Sequence, residues 1–193
     1  MNSYYSEEEL RSLGFHALGE HVCLSRKASI YGAAQISLGS HVRIDDFCIL
    51  SAGDGGIVLG DYIHIGAYSS IIGRGRVILE DFANISSRVS IYSSNDDYSG
   101  RAMTNPTVPA RFTAVRSAEV KICKHSIVGS GTVILPGVTI GEGVAVGALS
   151  LVNSDCSPFG VYAGTPAHRI KERLKNFLEL EKQLWQELNR LDK

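Results

Sequence analysis

The sequence predicts an all-β solenoid: a parallel β-helix of hexapeptide repeats, interrupted by one long inserted loop and finished by a C-terminal α-helix. Three observations carry this expectation. Large aliphatic residues recur at every sixth position over long stretches. The 20 glycines are scattered at short intervals in a chain of 193 residues that has only 5 prolines. Near the C-terminus the six-residue period gives way to apolar residues three and four apart. A fixed short period decides the architecture first, because a single repeat buries its apolar side chain only by stacking on its neighbours.

The period is clearest where Ile122, Val128, Ile134, Ile140, Val146 and Val152 open successive hexads. Leu59, Ile65 and Ile71 repeat it, as do Leu79, Ile85 and Ile91 after a two-residue slip. A looser run covers Leu18, Leu24, Ile30, Ile36 and Val42, and a shifted frame gives Leu38, Ile44 and Leu50. The second position is often glycine (Gly39, Gly60, Gly66, Gly141), and the fifth is small or β-branched (Ala83, Val89, Ser126, Thr132, Val138, Val144, Ser150, Cys156). This predicts triangular turns of about 18 residues, three hexads each, whose backbones pair at the strand spacing of about 4.8 Å. The large residue points inward, a tight corner follows, and the fifth residue points inward where only a small side chain fits. Cys48 and Cys156 are then small core residues and not reactive thiols. The pairs Gly129/Gly131 and Gly141/Gly143 lack the third glycine and the strand-to-helix context of a dinucleotide fingerprint.

The predicted organisation is a helical cap over residues 1–17, a repeat domain over 18–166 and a C-terminal amphipathic helix over 167–193. In the cap, Ser6 and Glu9 have the spacing of a capping box. The inserted loop, 97–120, is too long to be an idle connection in a regular solenoid. In the tail, Ile170, Leu174, Phe177, Leu184, Leu188 and Leu191 form a helical stripe widened by Leu178 and Trp185. That stripe has two possible partners, its own coil or a neighbouring subunit.

Charge narrows the function. With 19 Lys+Arg against 20 Asp+Glu and no basic block, the chain is not expected to bind nucleic acid or an anionic membrane. No apolar run is long enough for a transmembrane segment, and the acidic opening residues are unlike a signal peptide, so a cytoplasmic protein is expected. Four separated cysteines suggest neither a disulfide framework nor a zinc site.

The stretch Val128 to Val152, followed by Val161 to Lys171 with its Gly164-Thr165-Pro166-Ala167, resembles the hexapeptide-repeat acyltransferases, in particular the galactoside and maltose acetyltransferases and the sugar acyltransferases of bacterial surface polysaccharides. The resemblance covers nearly the whole chain. It implies a left-handed helix, a homotrimer with active sites in clefts between adjacent chains, and acetyl-CoA or another acyl-CoA as co-substrate. It further implies a pantetheine arm beside Ser130 and Ala148, with Gly129 and Gly147 permitting close approach. The adenosine end and its phosphates would meet Asn153, Ser154, His168 and Lys171, helped by Arg169 or Arg173. Many relatives have Thr-Lys where this chain has Asn153-Ser154.

Galactoside-type relatives place a catalytic His just before the long loop, but Ile91 to Gly100 contains none. The expected base is therefore a carboxylate, Asp96 ahead of Asp97. A group with a reference pKa of about 3.9 suits a proton leaving an attacking amine better than one on a sugar hydroxyl. Asn95 or backbone N–H groups would stabilise the oxyanion, and Ser94, Ser86, Tyr98 and Glu142 are candidates to orient the acceptor. The expected activity is acyl transfer to a sugar, preferably the amino group of a nucleotide-linked amino sugar made for a surface glycan, with O-acetylation as the nearest alternative. His16 and His21 have a spacing seen in the metal sites of the γ-class carbonic anhydrases, but no third His completes a site and no metal is expected. A non-catalytic solenoid would show outward threonine rows and lack the loop.

Overall fold

The computed structural model describes residues 3–191; residues 1–2 of the predicted cap, residues 192–193 of the tail and the Leu191 side chain lie outside the described residues. Short parallel strands stack into three sheets that form the faces of a triangular solenoid. The first face holds Ala17–Leu18, Ile36–Leu38, Ile57–Leu59, Val77–Leu79, Val120–Ile122 and Thr139–Ile140. The second holds Cys23–Leu24, Arg43–Ile44, His64–Ile65, Asn84–Ile85, Ile127–Val128, Ala145–Val146 and Gly160–Ala163. The third holds Ser29–Tyr31, Ile49–Ala52, Ser70–Gly73, Ser90–Tyr92, Val133–Ile134 and Leu151–Val152.

The hexad rule accounts for the core. Ile122, Val128, Ile134, Ile140, Val146 and Val152 are at most 3% exposed. The small fifth-position residues, from Ala83 to Cys156, are at most 4% exposed. Where that residue carries a hydroxyl, a corner carbonyl accepts it: of the adjacent coil for Ser126 Oγ on Gly141 O (2.9 Å) and Thr132 Oγ1 on Gly147 O (3.1 Å), of its own coil for Ser150 Oγ on Gly147 O (2.8 Å). Burial pushes the Cys156 thiol up to about 11, so it stays protonated.

The turn length is not uniform. Ile122 pairs with Ile140, 18 residues on, but Leu18 pairs with Leu38, Leu38 with Leu59 and Leu59 with Leu79, which is 20, 21 and 20 residues. The extra residues sit at the corner after the third face, in the 3-10 turn Ala33–Gln35 and around Gly53–Gly56 and Gly73–Arg76. The shifted frame Leu38, Ile44, Leu50 is therefore the inward one, and Val42 is a small-position residue of that frame. The long loop leaves the solenoid from this same corner.

The N-terminal end has the short capped helix expected of it, whereas the C-terminal end differs. At the N-terminus the helix α1 spans only Glu7–Ser12, with Ser6 and Glu9 in a reciprocal capping box, and Leu10 closes the open end of the core at 3% exposure. The C-terminal helix α2 spans Asn176–Leu191, so it begins nine residues later than the expected start at 167. His168–Glu172 is a strand instead, antiparallel to Gly160–Ala163. The physical reason is the unpaired edge of the second face, whose backbone groups gain more from a returning strand than the segment gains as an isolated helical turn.

The stripe on α2 packs on its own coil. His21, His41, Tyr62, Phe82 and His125 stack one above another along the corner between the first and second faces, with centroids 4.5–5.0 Å apart. Each holds a left-handed φ between 56° and 61°, a strained choice that stacking of the rings offsets. Phe177 meets the His125 ring at 4.9 Å, and Trp185 meets Tyr62 and Phe82 edge-on.

Candidate active site

The inserted loop starts and ends in a two-residue antiparallel pair, Ser94–Asn95 with Arg116–Ser117, which holds its two stems against the corner after the third face. Just inside the stem stand Asp96 and Asp97, and their environments differ. Asp97 Oδ1 accepts Ser99 N (3.0 Å) and Ser99 Oγ (2.7 Å), while Oδ2 accepts Arg101 N (2.9 Å) and Ala102 N (3.0 Å). Those bonds, the Ser99 hydroxyl foremost, hold its pKa down to about 2. Asp97 is thus the organising residue of the loop's first turn. Asp96 is half-buried, and no hydrogen bond to its carboxylate is formed among the described residues.

Two concavities meet at Asp96. One, of about 650 Å³, is lined by Tyr92, Ser94, Asn95, Asp96, Tyr98, Val133 and Leu135. The other, of about 520 Å³, shares Ser94, Asn95 and Asp96 and adds Ile72, Arg74 and, from the loop, Asn105, Pro106, Val108, Ala110, Thr113 and Val115. A carboxylate free of partners, set between two cavities, can receive a proton from a group bound on one side as it attacks a group bound on the other. Asn95 and Ser94 line both cavities; Ser94 Oγ also accepts Arg74 N at 3.3 Å.

The structure brings together Ser94, Asn95, Asp96 and Tyr98, but not the other expected acceptor contacts. Glu142 lies at the corner between the first and second faces, in a separate hollow with Glu80, Cys123 and Pro158. Ser86 starts the corner leading into the third face, half-buried, its N–H bonded to Val128 O. Sequence reasoning missed Arg74, Tyr92, Val133 and Leu135. Their signal was positional: Val133 precedes an inward Ile134, and Tyr92 and Leu135 directly follow inward residues, so their side chains point outward beside the loop stem.

The expected coenzyme residues divide into groups. Ser130 and Ala148 are exposed at the corner between the second and third faces. Gly129 and Gly147 are glycines because the coils crowd them: a Cβ on Gly129 would lie 2.5 Å from Ala148 N, and one on Gly147 3.0 Å from Ala163 Cβ. His168, Arg169 and Lys171 lie exposed on the edge strand of the second face, Arg169 paired with Glu172 at 2.7 Å. Asn153 and Ser154 follow the last strand of the third face and stand at the corner leading back to the first, so the third face separates them from that cluster. Arg173 is an anchor: its Nη1 donates to His125 O (2.8 Å) and Gly143 O (3.1 Å), its guanidinium lies over the Phe177 ring, and burial lowers its pKa.

None of the six histidines reaches Asp96. His64 is held by Asp45 (2.9 Å) and Asn84 (3.1 Å) on the second face, and His21 belongs to the aromatic corner. Among the described residues no group of three or more His, Cys, Asp or Glu is placed to hold a metal ion, and no helix is long and apolar enough to cross a membrane.

No family model matches the chain. Over 93% of its length, however, it is 56% identical to the dTDP-4-amino-4,6-dideoxy-D-glucose acyltransferase of Escherichia coli, and covers 93% of that protein. The chain belongs to the hexapeptide-repeat sugar acyltransferases. Its structure superposes on the N-acyltransferase AntD from Bacillus cereus, crystallised with dTDP and 3-hydroxybutyryl-CoA, with a TM-score of 0.93 and 45% identity over 98% of this chain and 100% of that one. The acetyltransferase domain of PglB from Neisseria gonorrhoeae shares the fold at a TM-score of 0.59 and 19% identity, covering 84% of this chain and 62% of that one. As a sugar acyltransferase, the chain uses an acyl-CoA as donor, and its solenoid is the family scaffold.

Proposed function

We propose that this acyltransferase acylates the amino group of a dTDP-linked 4-amino-4,6-dideoxy sugar, with Asp96 as the proton acceptor. The observation that carries the reading is the free Asp96 carboxylate at the junction of two cavities, beside an Asp97 whose oxygens are fully engaged. The relatives support the acceptor: the Escherichia coli enzyme is named for that amino sugar, and AntD variants were crystallised with the same nucleotide sugar and coenzyme A. The AntD variants replace a serine and an aspartate ten positions apart. Three such pairs occur here, Ser51 with Asp61, Ser86 with Asp96 and Ser87 with Asp97; only the last two have their aspartate at the loop stem, and the engagement of Asp97 favours Ser86 with Asp96.

In the reaction, the free amine attacks the thioester carbonyl and forms the new C–N bond. The nitrogen's proton passes to Asp96, the oxyanion is held by the Asn95 amide or a corner N–H, and collapse expels the coenzyme A thiolate, which takes up a proton. The thioester arm runs past the exposed corner at Ser130 and Ala148, and His168, Arg169 and Lys171 face the coenzyme phosphates. The enzyme is a homotrimer, each cleft completed by a neighbouring chain, and works in the cytoplasm on products of nucleotide-sugar synthesis.

Mass spectrometry of products tests this directly, with acetyl-CoA and a panel of dTDP-4-amino-4,6-dideoxyglucose, a neutral dTDP-hexose and the unactivated amino sugar. Acylation of the amino nucleotide sugar alone is expected. Acylation of the neutral dTDP-hexose at an equal rate would overturn the choice of an amine acceptor.

A further inference from the structure

The two cavities at Asp96 have different linings, and the difference assigns them. The cavity over the third face is floored by Tyr92, Val133 and Leu135. The cavity under the loop has apolar walls as well, Ile72, Val108 and Val115 among them, but it alone of the two carries a cation, Arg74, with the polar Asn105 and Thr113 beside it. Arg74 is exposed, forms no ion pair among the described residues, and is the arginine that lines these cavities. Its backbone is fixed to the same stem that presents Asp96: Arg74 N donates to Ser94 Oγ at 3.3 Å, and Arg74 O accepts Gly55 N at 2.9 Å. The backbone of Arg74 thus stands at a set offset from the base, and its unpaired guanidinium offers two parallel donors to an anion.

We propose that Arg74 is the diphosphate-binding residue for the acceptor nucleotide, so that the nucleotide sugar enters from the loop side of Asp96 and the acyl thioester occupies the cavity without a cation, over the third face. The inference rests on the acceptor named above and adds the side from which it binds. Its chemistry is simple: a dianionic diphosphate needs a cation near the base, and the neutral acyl end of the thioester suits a floor of valine, leucine and tyrosine. The basic residues His168, Arg169 and Lys171, on the far edge of the second face, remain for the phosphates of coenzyme A.

Calorimetry with dTDP, dTMP, thymidine and coenzyme A on the wild-type protein, Arg74→Ala and Arg74→Lys tests the assignment. Arg74→Ala is expected to weaken dTDP by about 10- to 100-fold, to abolish the preference for dTDP over thymidine, and to leave coenzyme A affinity and the thermal midpoint unchanged. Arg74→Lys should recover part of the loss, because the charge remains without the fork. Conversely, Leu135→Trp should raise KM for acetyl-CoA while dTDP affinity stays. Unchanged dTDP affinity in Arg74→Ala, with the wild type binding dTDP, would overturn this inference alone. Weakened coenzyme A in that variant would reverse the two sides. A wild type that binds coenzyme A but not dTDP would overturn the acceptor assignment and this inference with it.

Discussion

The Glu181 carboxylate of α2 reaches His125 Nε2 at 2.8 Å, and its other oxygen meets Lys124 Nζ at 2.6 Å. Trp185 Nε1 donates to the same group at 3.0 Å. One carboxylate thereby latches the C-terminal helix to the top of the aromatic corner, directly above the stacked Phe82 and His125 rings.

This latch makes stability depend on acidity. Desolvation alone would raise the Glu181 pKa, but the bonds from Lys124, Trp185 and His125 outweigh it and lower it from 4.5 to about 2. A depressed folded-state pKa contributes stability above the unfolded value, and that contribution fades as the pH falls from about 4.5 towards 2. Glu181→Gln is expected to lower stability at neutral pH by about 1–3 kcal/mol, or roughly 2–10 °C in Tm. Thermal melts should show the gap between variant and wild type narrowing across that acidic window. A gap that widens there would contradict the assignment.

Asp96 and Asp97 should separate cleanly in kinetics. Asp96→Asn keeps the side chain's size but removes the proton acceptor, so kcat should fall by about 10²- to 10⁴-fold with coenzyme A affinity retained. Asp97→Asn leaves one oxygen for the four donors of Ser99, Arg101 and Ala102, so the loop should become more sensitive to limited proteolysis and KM for the acceptor should rise. Near-normal kcat in Asp96→Asn would move the chemistry to positioning and oxyanion stabilisation.

Arg173 and Lys171 lie two residues apart and should fail in different assays. Arg173→Ala removes carbonyl contacts at His125 and Gly143 and the packing on Phe177, and is expected to cost about 1–3 kcal/mol in chemical denaturation while coenzyme A affinity holds. Lys171→Ala combined with Arg169→Ala should leave stability within about 0.5 kcal/mol and weaken acetyl-CoA. Unchanged acetyl-CoA affinity in the double variant would place the phosphates elsewhere.

Sedimentation velocity checks the trimer. Phe47 and Tyr68, stacked at 4.9 Å, and Leu149 leave apolar area exposed along the corner between the second and third faces, as expected of a surface that a neighbouring chain covers. A fully active monomer would sink the proposal.

The repeat and its core were legible because burial in a solenoid is periodic: each inward residue meets the same surroundings one coil above and below, so identity at every sixth position carries the information. The corner ladder of His21, His41, Tyr62, Phe82 and His125 left only a trace, aromatic rings spaced 20 or 21 residues apart as far as Phe82 and then, across the inserted loop, 43 residues to His125, a spacing that a period of six does not pick out.

What the sequence determined by itself is the solenoid, its inward residues, the capping box at Ser6 and the presence of a long inserted loop with two acidic residues at its mouth. The tertiary structure alone decided that Asp97 serves the loop while Asp96 stays free, that Arg173 anchors α2 while Lys171 faces solvent, and that His168–Glu172 is an edge strand. The physical reason is common to all three. Hydrogen-bond donors, carbonyls and open sheet edges are allotted by segments that return from far along the chain, and neighbours in sequence receive different shares of them.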